Sequence, residues 1–320
     1  MSRALTSIVL ALTLVASPAQ GAERGGVVVS GGAPVVYTQE TATGFWVVSP
    51  CGRRVHVAPG PIIRTASVVI DPGHGGPTDI GAVSPATGLA EKDLNLRVAR
   101  EVVRRLGERG VGAVLTRAGD YASPISVRAN LADALGATIM VSIHHNAPTP
   151  EPSDAPGVEV FVQDREPSSI RLGGIIHDRV MAALGEFDVA WAAADDAGVM
   201  TVLNSRGADA YGILRRPETP TALVELGYMG NPAEALLHER PEYARTAGLS
   251  VAEAITAFLN GDGQGAALSK GRVFNPKPGI SGAACVDPGR LVETAPGGPA
   301  PPRAPAPPEV WAPPGAPRPE

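Results

Sequence analysis

Basic clusters, cysteines, aromatic side chains and long apolar runs are all scarce in this chain, and each shortage removes a class of protein. Lys and Arg number 27 against 32 Asp and Glu, for a formal net charge of −5. With no block of Lys or Arg to form a basic patch, the pattern argues against a nucleic-acid or anionic-membrane partner. Aromatics make up only 4% of residues. The abundance of Ala, Gly, Pro and Arg reads as genomic bias more than structural demand. No apolar stretch reaches the roughly 20 residues that span a bilayer, so no transmembrane segment is expected. The longest stretch, Ala4 to Val15, follows Arg3 and precedes the small residues Ala16, Ser17, Ala19 and Gly21. That is the layout of a secretory signal peptide over residues 1–22, which places the mature chain in the periplasm or outside the cell.

There are two cysteines, Cys51 and Cys285. Neither has a second ligand at zinc-finger spacing, so a cysteine metal site is not expected. In an oxidising compartment the simplest reading is one disulfide between them. At the other end, residues 296–320 are mostly Pro, Ala and Gly with scattered charge, a composition that cannot build a core and reads as a disordered tail. What lies between is long enough for one sizeable core. It divides into a β-hairpin appendage over 23–64, a main domain over 65–262 and an extension over 263–295.

The appendage reads as short strands around Val35-Val36-Tyr37, Gly44–Val48 and Val55-His56-Val57, with a turn at Ser49-Pro50-Cys51-Gly52. The main domain alternates. Strands are expected at 67–71, 113–117, 138–144, 158–163, near Gly212–Arg215 and at 221–226. Helices are expected at 91–109, around 126–135, at 168–184 and at 241–259. Such alternation means an α/β fold. Leu94, Val98, Val102 and Leu106 recur at helical spacing and are core rather than site. The loops 148–156 and 187–206 are long and are where substrate-facing variation is expected.

Four motifs carry the chemistry. In Val68-Val69-Ile70-Asp71-Pro72-Gly73-His74-Gly75-Gly76 a buried strand runs into a glycine-rich turn that presents His74. Asp71 and Asp79, beside it, suit support of that histidine or turn chemistry. Glu91 opens the long helix, where a first-turn carboxylate also complements the helix dipole. Ser142-Ile143-His144-His145-Asn146 ends an apolar strand with adjacent histidines. Neighbouring strand residues face opposite ways, so only one of His144 and His145 can share a site with His74, and the spacing leaves open which. Finally Glu225 interrupts the apolar strand Thr221-Ala222-Leu223-Val224-Glu225-Leu226. Burying a lone carboxylate is costly, so it needs a charged partner, a metal or a functional site.

Together Gly73-His74-Gly75-Gly76, Gly88-Leu89-Ala90-Glu91-Lys92-Asp93-Leu94-Asn95-Leu96, Ser142-Ile143-His144-His145-Asn146-Ala147 and Leu223-Val224-Glu225-Leu226-Gly227-Tyr228 resemble the zinc-dependent N-acetylmuramoyl-L-alanine amidases over about 68–259. The resemblance implies a single mixed, mostly parallel twisted sheet flanked by helices on both faces. It implies one Zn²⁺ per chain on His74, Glu91 and His144, with Glu225 as the catalytic residue, and it makes 65–262 the catalytic domain. Asn95, Arg128, Asn130, His145 and Asn146 fall on positions suited to substrate contact or to support of the ligands. Two imidazoles and a carboxylate leave a coordination position open, as catalytic zinc requires. The implied substrate is peptidoglycan or its muropeptides, the implied location is the cell envelope, and a monomer is expected. His145 stands where the family often has a small residue. The segment between His145 and Glu225 shows no long autoinhibitory helix, so an uncovered site is expected. A zinc peptidase cutting within the stem peptide, or a non-catalytic wall-binding regulator, are the alternatives.

Overall fold

The computed structural model describes residues 25–148, 151–192, 198–269, 271–276, 285–289 and 291. The expected signal peptide and the proline-rich tail lie outside them. The N-terminal strands are β1 (Val27–Ser30), β2 (Ala33–Thr41), β3 (Gly44–Val48), β4 (Arg54–Val57) and β5 (Ile62–Ile63), which form one antiparallel sheet in the order β4-β3-β2-β1-β5. The expected hairpin is β2–β3, and it is embedded in this larger sheet. Val28, Val35, Phe45, Val47 and Val57 form an apolar cluster with Tyr121 of the main domain and Leu291 of the extension.

The main sheet follows: β6 (Val68–Pro72), α1 (Glu91–Glu108), β7 (Ala113–Leu115), α2 (Ile125–Ala134), β8 (Ile139–Asn146), β9 (Pro152–Ser153), β10 (Glu159–Val162), α3 (Pro167–Leu184), β11 (Trp191–Ala192), β12 (Gly198–Met200), β13 (Val202–Leu203), α4 (Gly212–Arg215), β14 (Thr221–Tyr228), α5 (Pro232–Glu239), α6 (Pro241–Leu259) and β15 (Arg272–Val273). Six of these strands pair in the order β12-β10-β14-β8-β6-β7. All pairings are parallel except β10 with β14, so the sheet is mixed and mostly parallel, as expected.

The period-2 alternation of the strands divides two cores. Val68, Ile70, Val141, Ile143, Val160, Val224 and Leu226 face α1, α3 and α6, where Leu94, Val98, Val102 and Leu106 are fully buried. Val69, Met140, Phe161 and Leu223 face the other way, toward residues of α2 and α4. Helices therefore cover both faces.

The sequence expectation differs from the structure at three places. Gly212–Arg215 is a helical turn, not a strand: Leu214 N and Arg215 N both donate to Tyr211 O, and the adjacent Ile213 and Leu214 are both buried. A short apolar run has no periodicity to distinguish the two forms, and the tertiary contacts decide. Helix α5 was not anticipated, although Asn231 caps it, accepting from Ala233 N (2.9 Å) and Glu234 N (3.3 Å), with Pro232 at its start. The long loop 187–206 carries β11, β12 and β13, of which β12 extends the main sheet.

Cys51 and Cys285 are disulfide-bonded, with Cα atoms 5.5 Å apart. The bridge packs on Ala122, and Asp287 Oδ1 accepts from Cys51 N at 2.8 Å, so the N-terminal sheet and the extension are fixed at one point.

Candidate metal centre

The site lies at the carboxyl ends of β6 and β8, where open α/β sheets place their ligands. Its foundation is a buried ion pair one layer below. Asp71, 1% exposed, accepts from Arg128 Nη1 (2.9 Å), Ser142 Oγ (2.7 Å) and Thr116 Oγ1. Arg128 also donates to the carbonyls of Pro72, His74 and Ser123, each at 2.7 Å. Arg117, also buried, donates to the carbonyls of Pro72 (3.0 Å) and Gly73 (2.9 Å), so two guanidiniums brace the turn that presents His74. The turn needs holding, because His74 has φ +62°, a left-handed conformation that costs a non-glycine residue about 1–2 kcal/mol.

His74, Glu91 and His144 converge. One ligand atom from each lies within 4.8 Å of the others. His74 Nε2 is 3.1 Å from Glu91 Oε2, His144 Nδ1 is 2.9 Å from Glu91 Oε1, and the two rings stand edge to face with centroids 4.9 Å apart. Two nearby glycines make the room. A Cβ on Gly73 would lie 2.2 Å from His144 Cε1 and Nε2. One on Gly81 would lie 2.5 Å from Glu91 Oε2.

Glu91 is 4% exposed and accepts from Ala82 N (2.9 Å), Asn95 Nδ2 (3.2 Å) and His145 N (3.3 Å). Burial works against its ionisation, yet the two imidazoles hold its carboxyl well below the ordinary range. Burial likewise opposes charge on His74, but Asp79, 2.5 Å from its Nδ1, and Glu91 push it up to about 10. Carboxylates that favour a cationic imidazole this strongly also favour a divalent cation in its place. The donor set of two imidazoles and one carboxylate fits zinc, and Asp79 supplies the carboxylate that orients a ligand histidine.

Glu225 sits beside His144 in the pairing of β14 with β8, and Glu159 lies across from Glu225 on β10. Glu225 Oε2 is buried and has no hydrogen-bond partner among the described residues. Burial, then the charges of Glu91 and Glu159, raise its pKa well above the ordinary value. Sequence reasoning missed Glu159, although it too is a carboxylate in an apolar strand, the signal that marked Glu225. Its Oε2 accepts from Asn146 Nδ2, and its Oε1 lies 3.3 Å from Arg272 Nη1. Arg272 also lies 5.0 Å above the Phe161 ring, on which Tyr211 stacks at 5.1 Å. It arrives from the segment after α6, through Ser269 N to Val199 O and Arg272 N to Thr201 O, so no local motif could have marked it.

Asn95 and Arg128 therefore touch Glu91 and the His74 turn respectively, and Asn146 touches Glu159. His145 does not join His74: it turns to the opposite face of the sheet, 1% exposed, among α1 and α6. Asn130, on α2, borders a separate surface cleft with Asp133, Arg215 and Arg216. Helix α3 packs on α6 and β14 within the core.

Residues 68–257 match the family Amidase_3, described as N-acetylmuramoyl-L-alanine amidase. N-acetylmuramoyl-L-alanine amidase AmiC of Neisseria meningitidis is 28% identical over 229 residues, which cover 62% of this chain and 53% of that relative. The chain thus spans about half the length of that relative. YqiI of Bacillus subtilis is 31% identical over 216 residues, covering 66% of this chain and 95% of that protein. Among solved structures, N-acetylmuramoyl-L-alanine amidase AmiC2 of Nostoc punctiforme superposes with a TM-score of 0.50 at 32% identity, over 60% of this chain and 96% of that one.

Proposed function

Because the chain belongs to the Amidase_3 family of N-acetylmuramoyl-L-alanine amidases, we propose that it hydrolyses the amide joining the lactyl group of N-acetylmuramic acid to the L-alanine of the peptidoglycan stem peptide. His74, Glu91 and His144 would hold one zinc ion. The observation that carries this reading is the convergence of those three donors beside the buried, unpartnered oxygen of Glu225. Zinc bound there would polarise the scissile carbonyl and acidify water.

The chain's own groups supply the rest. Glu225, with its pKa raised by burial and by the charges of Glu91 and Glu159, suits general acid–base work. Its carboxylate takes a proton from the attacking water and returns it to the nitrogen of the leaving L-alanine. Asp79, on His74 Nδ1, keeps Nε2 turned toward Glu91. Asn146, Glu159 and Arg272 form polar lining next to Glu225 and are in position to orient the peptide.

The remaining readings go with this one: a signal peptide over 1–22, secretion into the envelope, a catalytic region over 65–262 and a monomeric chain. The disulfide suits an oxidising compartment, and no helix among the described residues is long and apolar enough to cross a membrane. Digestion of a defined muropeptide, followed by mass spectrometry, tests the reaction. New L-alanine amino termini, lost on chelation and regained with zinc, are expected. Cleavage within the peptide would instead indicate a zinc peptidase, and no cleavage would indicate a wall-binding role.

A further inference from the structure

Behind Glu91, on the face of the sheet away from the open site, three fully buried polar side chains form a line that packing alone does not require. Asn95 on α1, His145 on β8 and Tyr243 on α6 are 0%, 1% and 0% exposed. Asn95 Nδ2 lies 3.2 Å from Glu91 Oε1 and 3.3 Å from Gly73 O. Asn95 Oδ1 lies 2.8 Å from His145 Nδ1, and His145 Nε2 lies 2.9 Å from the Tyr243 hydroxyl.

These contacts fix which atoms of Asn95 and His145 donate along the line from His145 to Glu91. Glu91 Oε1 and Gly73 O are both acceptors, so the Asn95 atom facing them must be its amide nitrogen. Its oxygen therefore faces His145. An oxygen there needs a donor, so the proton of His145 sits on Nδ1. At the other edge of the ring Nε2 meets the Tyr243 hydroxyl, which also donates to Leu226 O at 3.3 Å. A bare Nδ1 would face Asn95 Oδ1 as a second acceptor, and flipping the amide would set oxygen against both Glu91 and Gly73. His238 packs against the rings of His145 and Tyr243 but makes no hydrogen bond among the described residues, so it does not contest the assignment.

We infer that Tyr243 and His145 are positioning residues for the metal ligand Glu91: a continuous hydrogen-bonded chain through the Tyr243 hydroxyl, His145, Asn95 and Glu91 Oε1 fixes the carboxylate in its binding orientation. This rests on reading His74, Glu91 and His144 as the metal site. The adjacent histidines thereby divide the labour, His144 facing the metal and His145 holding its neighbour from behind. The chain also ties the closing helix α6 to a site that it does not line.

The first test is the ring-proton state of His145 in the intact metal-free protein, read by nitrogen-15 NMR of histidine-labelled chain. A proton on Nδ1 is expected, and a bare Nδ1 would overturn the assignment whether or not the protein is an amidase. The second is zinc affinity, by competition with a chromogenic chelator. Tyr243→Phe should bind zinc about tenfold more weakly than wild type, the usual cost of losing an outer partner of a ligand. Combined with Asn95→Ala it should add little to the loss from Asn95→Ala alone, since both act through one contact. Unchanged zinc affinity in a folded Tyr243→Phe, or fully additive losses, would sink the inference. Failure of the wild type to bind zinc would instead defeat the metal-site reading, and the proton assignment would still decide whether the chain runs as stated.

Discussion

Arg128 is the side chain whose removal should damage both the fold and the site, and the structure gives the size of the effect. It is 4% exposed and is the cation paired with Asp71, itself 1% exposed. Arg128→Met keeps most of the volume and removes the charge and the donors to Pro72, His74 and Ser123. Breaking a buried pair from one side costs about 3–5 kcal/mol, because the remaining charge stays in the interior. That is a large share of the roughly 5–15 kcal/mol available to a folded domain. At about 2–4 °C per kcal/mol the midpoint should fall by roughly 10 °C, measurable by calorimetry. The sign of the pH dependence follows from Asp71. Burial raises its pKa, but Arg128 and the hydroxyls of Thr116 and Ser142 outweigh burial and leave it below 3.8. Its contribution is therefore complete above the unfolded value and is lost as pH falls through the folded one. In Arg128→Met the carboxyl titrates higher, so the gap between variant and wild type should be widest near neutrality and narrow below about pH 4. Asp71→Asn in the Arg128→Met background should recover part of the loss. A midpoint within about 2 °C of wild type at pH 7, equivalent to under roughly 1 kcal/mol, would refute the claim that this pair is needed beside Arg117 to brace the His74 turn.

Glu225→Gln should retain one zinc per chain while turnover falls by roughly 10²–10⁴, the usual worth of a general acid–base group; metal content and muropeptide digestion check the two halves separately, and substantial residual turnover would move the role elsewhere. Gly73→Ala should weaken zinc binding at least about tenfold with little change in circular dichroism, since its Cβ would meet the His144 ring at 2.2 Å. Reduction of Cys51–Cys285 should lower the thermal midpoint; the sequence separation of 234 residues sets an upper limit on the order of 5 kcal/mol, and an unchanged midpoint in reductant would show that the surrounding packing holds the extension unaided.

What could be read from the sequence divides along a physical line. The alternating elements, the stripe of α1 and the closing helix were legible because their periodicity reports burial against one continuous core. His74, His144 and Glu225 stood out because each is a polar residue at the end of an apolar strand or within one, whereas Glu91, which the helix dipole alone can explain, was marked only by the resemblance. Asp79 was in view because it lies five residues from His74. Tyr243 and Arg272 were not. They meet the site through α6 and β15, far along the chain, and a tyrosine in an amphipathic helix or an arginine in an extension has a bland local explanation. The choice between His144 and His145 also lay beyond spacing. It is made by register, since β8 pairs with β14 so that His144 stands beside Glu225 and His145 faces α6.

The glycines around His74 suggest how tightly such a site is specified. A glycine-rich turn beside a reactive histidine invites the reading that it gives a bulky glycopeptide room to approach. The distances assign the room to the protein's own groups: the space at Gly73 is filled by the ring of His144, and that at Gly81, with φ +69°, by the Glu91 carboxylate and the edge of His74. The glycines thus serve ligand convergence, and access must come from elsewhere. His74 and His144 keep 26% and 18% of their side chains exposed, whereas Glu91 keeps 5%. A substrate therefore approaches over the imidazole edges, with the carboxylate closed off behind them by Asn95 and His145. A side chain added at Gly73 should consequently harm metal binding before it harms substrate binding. If Gly73→Ala raised KM while leaving zinc affinity intact, the turn would belong to the substrate after all.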